Sequence, residues 1–139
     1  MTEAPQDTSA KQRILLVEDD QFLSVLLKNR LAKENYDVTL AQDGNSALDF
    51  LRKNQYDVVL LDLILPGKSG FEVMEEIREE PKWLVESSPI IVISNLGQES
   101  DIARSKELGA ADYFVKARTS IDDLMKKVAK VIHSQPAKK

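Results

Sequence analysis

Cysteine is absent from this sequence, and its absence removes disulfides, thiolate metal sites and thiol nucleophiles together. The one histidine, His133, falls near the C-terminus on the polar side of a helical pattern with no acidic partner in that pattern. It reads as a surface residue and not as a phosphoryl carrier. The one tryptophan, Trp83, lies between a helical pattern and an apolar run, where a packing role is expected. Basic residues do not dominate: 19 Lys and Arg against 23 Asp and Glu leave a net charge of −4 over 139 residues. With no basic face interleaved with aromatics, no nucleic acid is expected as a partner. Apolar runs stay well below membrane-spanning length and the N-terminus lacks a secretory core. No membrane partner is therefore expected, and the expected compartment is cytoplasmic.

What is present is a series of short apolar runs, four of which end on a chemically useful residue. Ile14-Leu15-Leu16-Val17 runs into Glu18-Asp19-Asp20, and Val58-Val59-Leu60-Leu61 into Asp62. Ile90-Ile91-Val92-Ile93 is followed by Ser94, and Tyr113-Phe114-Val115 by Lys116. Apolar runs of this length separated by helical patterns predict buried parallel strands. Strands are expected near 12–17, 37–41, 57–61, 89–93 and 112–115, and helices near 20–34, 43–53, 69–80, 98–108 and 120–133. The first helix places Leu23, Leu26, Leu27 and Leu31 on one stripe, and the last Ile121, Leu124, Val128 and Ile132. Asp20 and Asp43 are expected to cap the first two helices, Ser69 with Glu72 forms a capping box for the third, and Gly109 ends the fourth. Alternating βα units in one domain indicate an α/β fold with a doubly wound five-stranded parallel sheet, (βα)5, of strand order 2-1-3-4-5. Residues 1–11 read as a disordered N-terminal tail, 12–133 as the domain and 134–139 as a C-terminal tail.

In such a sheet, ligands bind outside the carboxyl ends of the strands, where strand order reverses. All four polar residues fall on that edge. Taken singly, each has a plainer reading: an acidic triplet is often a solvated helix start, a serine after a strand is often a turn residue, and most lysines are surface charge. Asp62 is harder to dismiss, because it interrupts a nearly continuous apolar run from Val58 to Leu65. A carboxylate at a buried edge needs a cation or a function. Carboxylates, a hydroxyl and an ammonium at one edge can together hold a divalent metal and a phosphoryl group.

The blocks Leu16-Val17-Glu18-Asp19-Asp20, Asp57 to Gly70, Ile93-Ser94 and Tyr113-Phe114-Val115-Lys116 resemble the receiver domain of bacterial response regulators, the CheY-like family. The resemblance covers roughly residues 12–133, nearly the whole chain. It implies a flavodoxin-like (βα)5 fold and transient phosphorylation of one aspartate by a histidine kinase or histidine phosphotransfer protein. By resemblance, Asp62 is the phosphoacceptor. Asp19, Asp62 and the backbone carbonyl of Ile64 are direct ligands of Mg²⁺ (or Mn²⁺), and Glu18 holds the metal through water. Ser94 contacts the phosphoryl group, Lys116 supplies the cation, and Tyr113 takes the aromatic switch position beside Ser94. The implied output is a conformational change on the face of helix 4, strand 5 and helix 5, read by a downstream protein target. The protein is then not a turnover enzyme on an external substrate. Six residues after the last helix suggest a stand-alone receiver, expected as a monomer.

Two departures bear on that implication. The lysine is commonly followed by proline in a cis bond, but here Ala117 follows. A non-proline cis bond costs about 2.5–4 kcal/mol, so a trans Lys116–Ala117 bond is expected. Asn95 stands where alanine is common after the hydroxyl, and it either narrows phosphoryl access or bonds the phosphate. A haloacid-dehalogenase-type phosphatase needs a second aspartate two positions after the first, where this chain has Ile64. A flavodoxin-type phosphate site is opposed by three acidic residues after strand 1. The alternative kept open is a receiver-like interaction module not regulated by phosphorylation.

Overall fold

The computed structural model describes residues 11–81 and 88–134. Trp83 and most of the two expected tails lie outside them. The elements are β1 (Arg13–Val17), α1 (Gln21–Lys33), β2 (Asp37–Ala41), α2 (Gly44–Lys53), β3 (Val58–Leu61), α3 (Gly70–Ile77), β4 (Ile90–Ser94), α4 (Glu99–Glu107), β5 (Asp112–Val115) and α5 (Ile121–His133). A single 3₁₀ turn, Lys116–Arg118, joins β5 to α5. The sheet has five strands in the order β2-β1-β3-β4-β5, and every pairing is parallel. This is the expected doubly wound arrangement, with β1 and β3 side by side.

The central strands β1, β3 and β4 are largely apolar on both faces because both faces are covered. Leu15, Val17, Val59, Leu61 and Val92 point to one side, against Ala47, Leu48 and Leu51 of α2 and Val73, Met74 and Ile77 of α3. Ile14, Leu16, Val58, Leu60, Ile91 and Ile93 point to the other, against Leu27 and Leu31 of α1 and Leu124, Met125, Val128 and Ile132 of α5. Alternate residues on each strand thus serve opposite layers, as the two-residue period of a strand requires.

The expected caps are present. Asp20 accepts from the Leu23 N–H, Asp43 from that of Ser46, and Ser69 and Glu72 exchange both bonds of a capping box. Gly109, at φ +99°, turns the chain after α4. Two expectations need correction. Helix α3 stops at Ile77, three residues before its expected end at 80. Glu79 and Glu80 continue only as tight turns, donating to the carbonyls of Glu76 and Ile77. Pro81 disfavours helix in the residue before it, and acidic side chains oppose the negative end of the helix dipole. Leu26 does not join the α1 stripe: it is 41% exposed, and Ser24, Leu27 and Leu31 are the residues of α1 that bury.

Candidate functional site

Strand register brings the site together. Val17 pairs with Leu61, so Glu18 and Asp62 emerge side by side where the sheet ends. The Asp62 N–H still donates to the Val17 carbonyl (3.1 Å), and that of Glu18 to the Ala41 carbonyl (3.0 Å). The last ladder bonds therefore hold the backbone beneath both carboxylates. Glu18 is fully buried and Asp62 is 4% exposed, whereas Asp19 faces solvent.

Lys116 reaches both buried carboxylates from the far side. Its Nζ lies 2.6 Å from Glu18 Oε1 and 2.9 Å from Asp62 Oδ2. The Lys116–Ala117 peptide is trans, so a lysine followed by alanine still lands on the expected aspartate. The remaining oxygens are used locally: Asp62 Oδ1 accepts from the Ile64 N–H (3.2 Å) and Glu18 Oε2 from the Asp20 N–H (3.1 Å). Glu18 Oε1 has the charge of Lys116 beside it but no aligned hydrogen bond.

The carboxylates of Glu18, Asp19 and Asp62 offer oxygens that all lie within 4.8 Å of one another. Hard divalent cations take oxygen donors of this kind, and Mg²⁺ keeps several waters besides. The donor set, with a buried glutamate oxygen lacking a directional partner, fits such an ion.

Burial raises the pKa of Glu18, the neighbouring charge of Asp62 adds to this, and the Lys116 ammonium beside it offsets only part of it. Burial works against the Lys116 ammonium, but its pairing with the carboxylates of Glu18 and Asp62 outweighs that and raises its pKa. A carboxyl whose folded pKa is raised contributes most below its ordinary value of 4.5, and that contribution is lost as pH climbs through the raised value. Glu18→Gln should therefore stabilise the metal-free protein at neutral pH by about 1 kcal/mol, a rise of roughly 3 °C in Tm. Melting in chelator at pH 7 and near pH 4.5 checks this, since the gain should fade at the lower pH.

Ser94 and Tyr113 meet on one residue that the sequence did not single out. Ser94, fully buried, accepts from the Leu96 N–H at 3.2 Å, and the Tyr113 hydroxyl donates to the Leu96 carbonyl. The Tyr113 ring is half-buried and packs with the cluster on the α2 and α3 side. Burial raises its pKa, and the charge of Asp101 adds to this. The part Leu96 plays is invisible in sequence because only its main-chain groups take part. Asn95 is exposed. His133 is exposed too, as expected.

A second omission is Gly70. A Cβ there would fall far inside contact distance of the Asp62 carbonyl oxygen and 2.7 Å from Leu63 Cα. The start of α3 is thus pressed against the backbone of the phosphoacceptor candidate.

The family model for the response regulator receiver domain matches residues 14–129. The response regulator ArlR of Staphylococcus saprophyticus is 36% identical over 126 residues, covering 91% of this chain and 54% of its own length. The chain thus spans about half the length of the curated relatives it matches. Among solved structures, the non-phosphorylated HemR receiver domain of Leptospira biflexa is 33% identical with a TM-score of 0.81, covering 93% of this chain and 100% of that one. The receiver domain of a Pseudomonas aeruginosa sensor histidine kinase, crystallised with a magnesium ion coordinated in the active-site cleft, is 30% identical with a TM-score of 0.80, covering 90% and 100%. The response regulator TrrA of Thermotoga maritima, in complex with Mg²⁺ and BeF, is 35% identical with a TM-score of 0.74, covering 86% and 98%.

Proposed function

The chain belongs to the receiver domain family of response regulators, and from that premise we propose that Asp62 accepts a phosphoryl group from the phosphohistidine of a histidine kinase or phosphotransfer protein. Family membership makes the protein a phosphoacceptor module and not an enzyme that turns over an external substrate. The observation that carries the assignment to Asp62 is Lys116: its ammonium sits on Asp62 Oδ2 across 54 residues of sequence. It neutralises the carboxylate that must meet an anionic donor.

Attack by an Asp62 oxygen forms the new O–P bond while the donor's P–N bond breaks, its electron pair passing to the imidazole. Little covalent work falls to the other residues; they position and neutralise. Lys116 answers the negative charge on one side. Asp19, Asp62 and the Ile64 carbonyl, with Glu18 through water, would hold Mg²⁺ or Mn²⁺ on the other. When bound, the metal supplies the positive charge that lets carboxylate and phosphoryl oxygens approach. Magnesium in the cleft of the Pseudomonas receiver supports this choice of ion. The Ser94 hydroxyl, accepting from Leu96, keeps its own proton to donate to a phosphoryl oxygen.

A turn of Ser94 toward that oxygen would alter its bond to Leu96, and the Tyr113 hydroxyl holds the other side of the same residue. Phosphorylation thus biases two packings of α4, β5 and α5, which a downstream protein target reads. Recognition of the phosphodonor fits α1, whose exposed Phe22, Val25 and Leu26 form an apolar face and whose charged residues Lys28, Arg30 and Lys33 are all basic. No helix among the described residues is long and apolar enough to cross a membrane. Membership of the receiver family favours a cytoplasmic site of action.

Intact mass after incubation with acetyl phosphate, with and without Mg²⁺, tests the proposal. A metal-dependent gain of one phosphoryl group is expected, absent in Asp62→Asn. No gain in the wild type with acetyl phosphate or with a phosphohistidine donor would overturn it in favour of an interaction module.

A further inference from the structure

The turn after β5 carries a second cation whose position the phosphotransfer scheme leaves unused. Arg118 ends the 3₁₀ turn that begins at Lys116, and the Thr119 hydroxyl closes that turn by donating to the Val115 carbonyl (2.8 Å). Its guanidinium lies against Gly97: a Cβ built there would sit 2.9 Å from Nη2 and 3.4 Å from Cζ. Gly97 follows Leu96 directly and Ser94 by three positions. The Arg118 side chain therefore crosses from the turn that carries Lys116 to the loop that carries Ser94.

Among the described residues, no carboxylate pairs with Arg118. Arg30, Arg52 and Arg104 each hold an acidic partner. The loop that Arg118 covers, Asn95-Leu96-Gly97-Gln98, is uncharged. The charge of the site gives that cation a use. Glu18, Asp19, Asp62 and Lys116 sum to −2 formally, and a divalent ion would bring the sum to zero. A phosphoryl group in place of the Asp62 carboxylate adds about one further negative charge. A planar guanidinium offers paired N–H donors to phosphate oxygens and keeps its charge throughout the accessible pH range.

Resting on the phosphotransfer reading above, we propose that Arg118 is a positioning residue for phosphotransfer. Seated on Gly97, it ties the Ser94 loop to the Lys116 turn and presents a cation at the mouth of the cleft to the anionic phosphodonor. Gly97 is then kept small so that the guanidinium can lie on its backbone, which is outside the left-handed region that would itself favour glycine.

Mg²⁺-dependent phosphorylation by acetyl phosphate, followed by intact mass against donor concentration and salt, tests this with wild type, Arg118→Gln, Arg118→Lys and Gly97→Ala. Arg118→Gln should raise the half-saturating donor concentration about tenfold, change the saturating rate much less and flatten the salt dependence. Arg118→Lys should recover most of the half-saturation. Gly97→Ala keeps every charge, and its methyl displaces only the far end of a flexible side chain, so it should fold normally and still raise half-saturation severalfold. Wild-type-like half-saturation and salt dependence in Arg118→Gln would overturn the proposal while leaving phosphotransfer intact. Equally, a loss confined to the saturating rate and thermal stability would assign Arg118 a structural role. An unimpaired Gly97→Ala beside an impaired Arg118→Gln would overturn the seating on Gly97. Failure of the wild type to accept any phosphoryl group would instead defeat the reading of Asp62.

Discussion

Lys116→Met is expected to lower phosphorylation of Asp62 by at least about a hundredfold and to destabilise the metal-free protein by about 3 kcal/mol at neutral pH. The two effects share one cause. Glu18 and Asp62 are buried side by side, and Lys116 at 2.6 Å and 2.9 Å is the cation that answers them. Methionine keeps the apolar stem and removes the charge, so two like-charged carboxylates remain out of water with no cation and one backbone N–H each. Urea denaturation in chelator measures the loss. It should shrink on adding Mg²⁺, which restores positive charge to the cluster, and shrink again toward acid, where Glu18 takes up a proton. In the wild type the sign at the alkaline extreme is the same. The Lys116 pKa is raised, so the stability it contributes is complete below the ordinary lysine value and is lost as pH climbs through the raised one. An unchanged urea midpoint in Lys116→Met would mean the carboxylates are neutralised some other way.

Gly70→Ala should be nearly as damaging although it changes no charge. The added methyl would meet the Asp62 carbonyl and Leu63 Cα, which are backbone atoms with no rotamer to escape into. The Gly70 N–H donates to the Leu63 carbonyl (2.9 Å), so the two segments cannot simply part. Overpacking of this kind costs about 2–3 kcal/mol, and relief by moving the β3–α3 connection would carry Asp62 away from Lys116. Lower stability together with slower phosphorylation is expected, read by urea midpoint and by mass. Gly109→Ala is the matched control: its φ of +99° is unfavourable for alanine, but nothing lies within 4 Å of an added Cβ. It should lose only about 1 kcal/mol and phosphorylate normally. Equal phosphorylation defects in both variants would separate the close approach at Gly70 from the function of Asp62.

The sequence by itself determined the layers and the edge. Parallel strands covered on both faces must be apolar throughout, so the first polar residue after each run marks where burial stops, and Glu18, Asp62, Ser94 and Lys116 were legible for that reason. Helix caps were legible too, because Asp20, Asp43 and Ser69 act on N–H groups only a few residues away. Tertiary structure decided what depends on distance through space. No local pattern announces that Lys116 pairs with both Glu18 and Asp62, that Leu96 joins Ser94 to Tyr113 through main-chain atoms, or that Gly70 lies against the Asp62 carbonyl. The exposure of Leu26 and the early end of α3 belong with these. A helical period says which residues share a stripe, but the packed neighbours decide how wide the buried stripe is and where the helix stops paying its way.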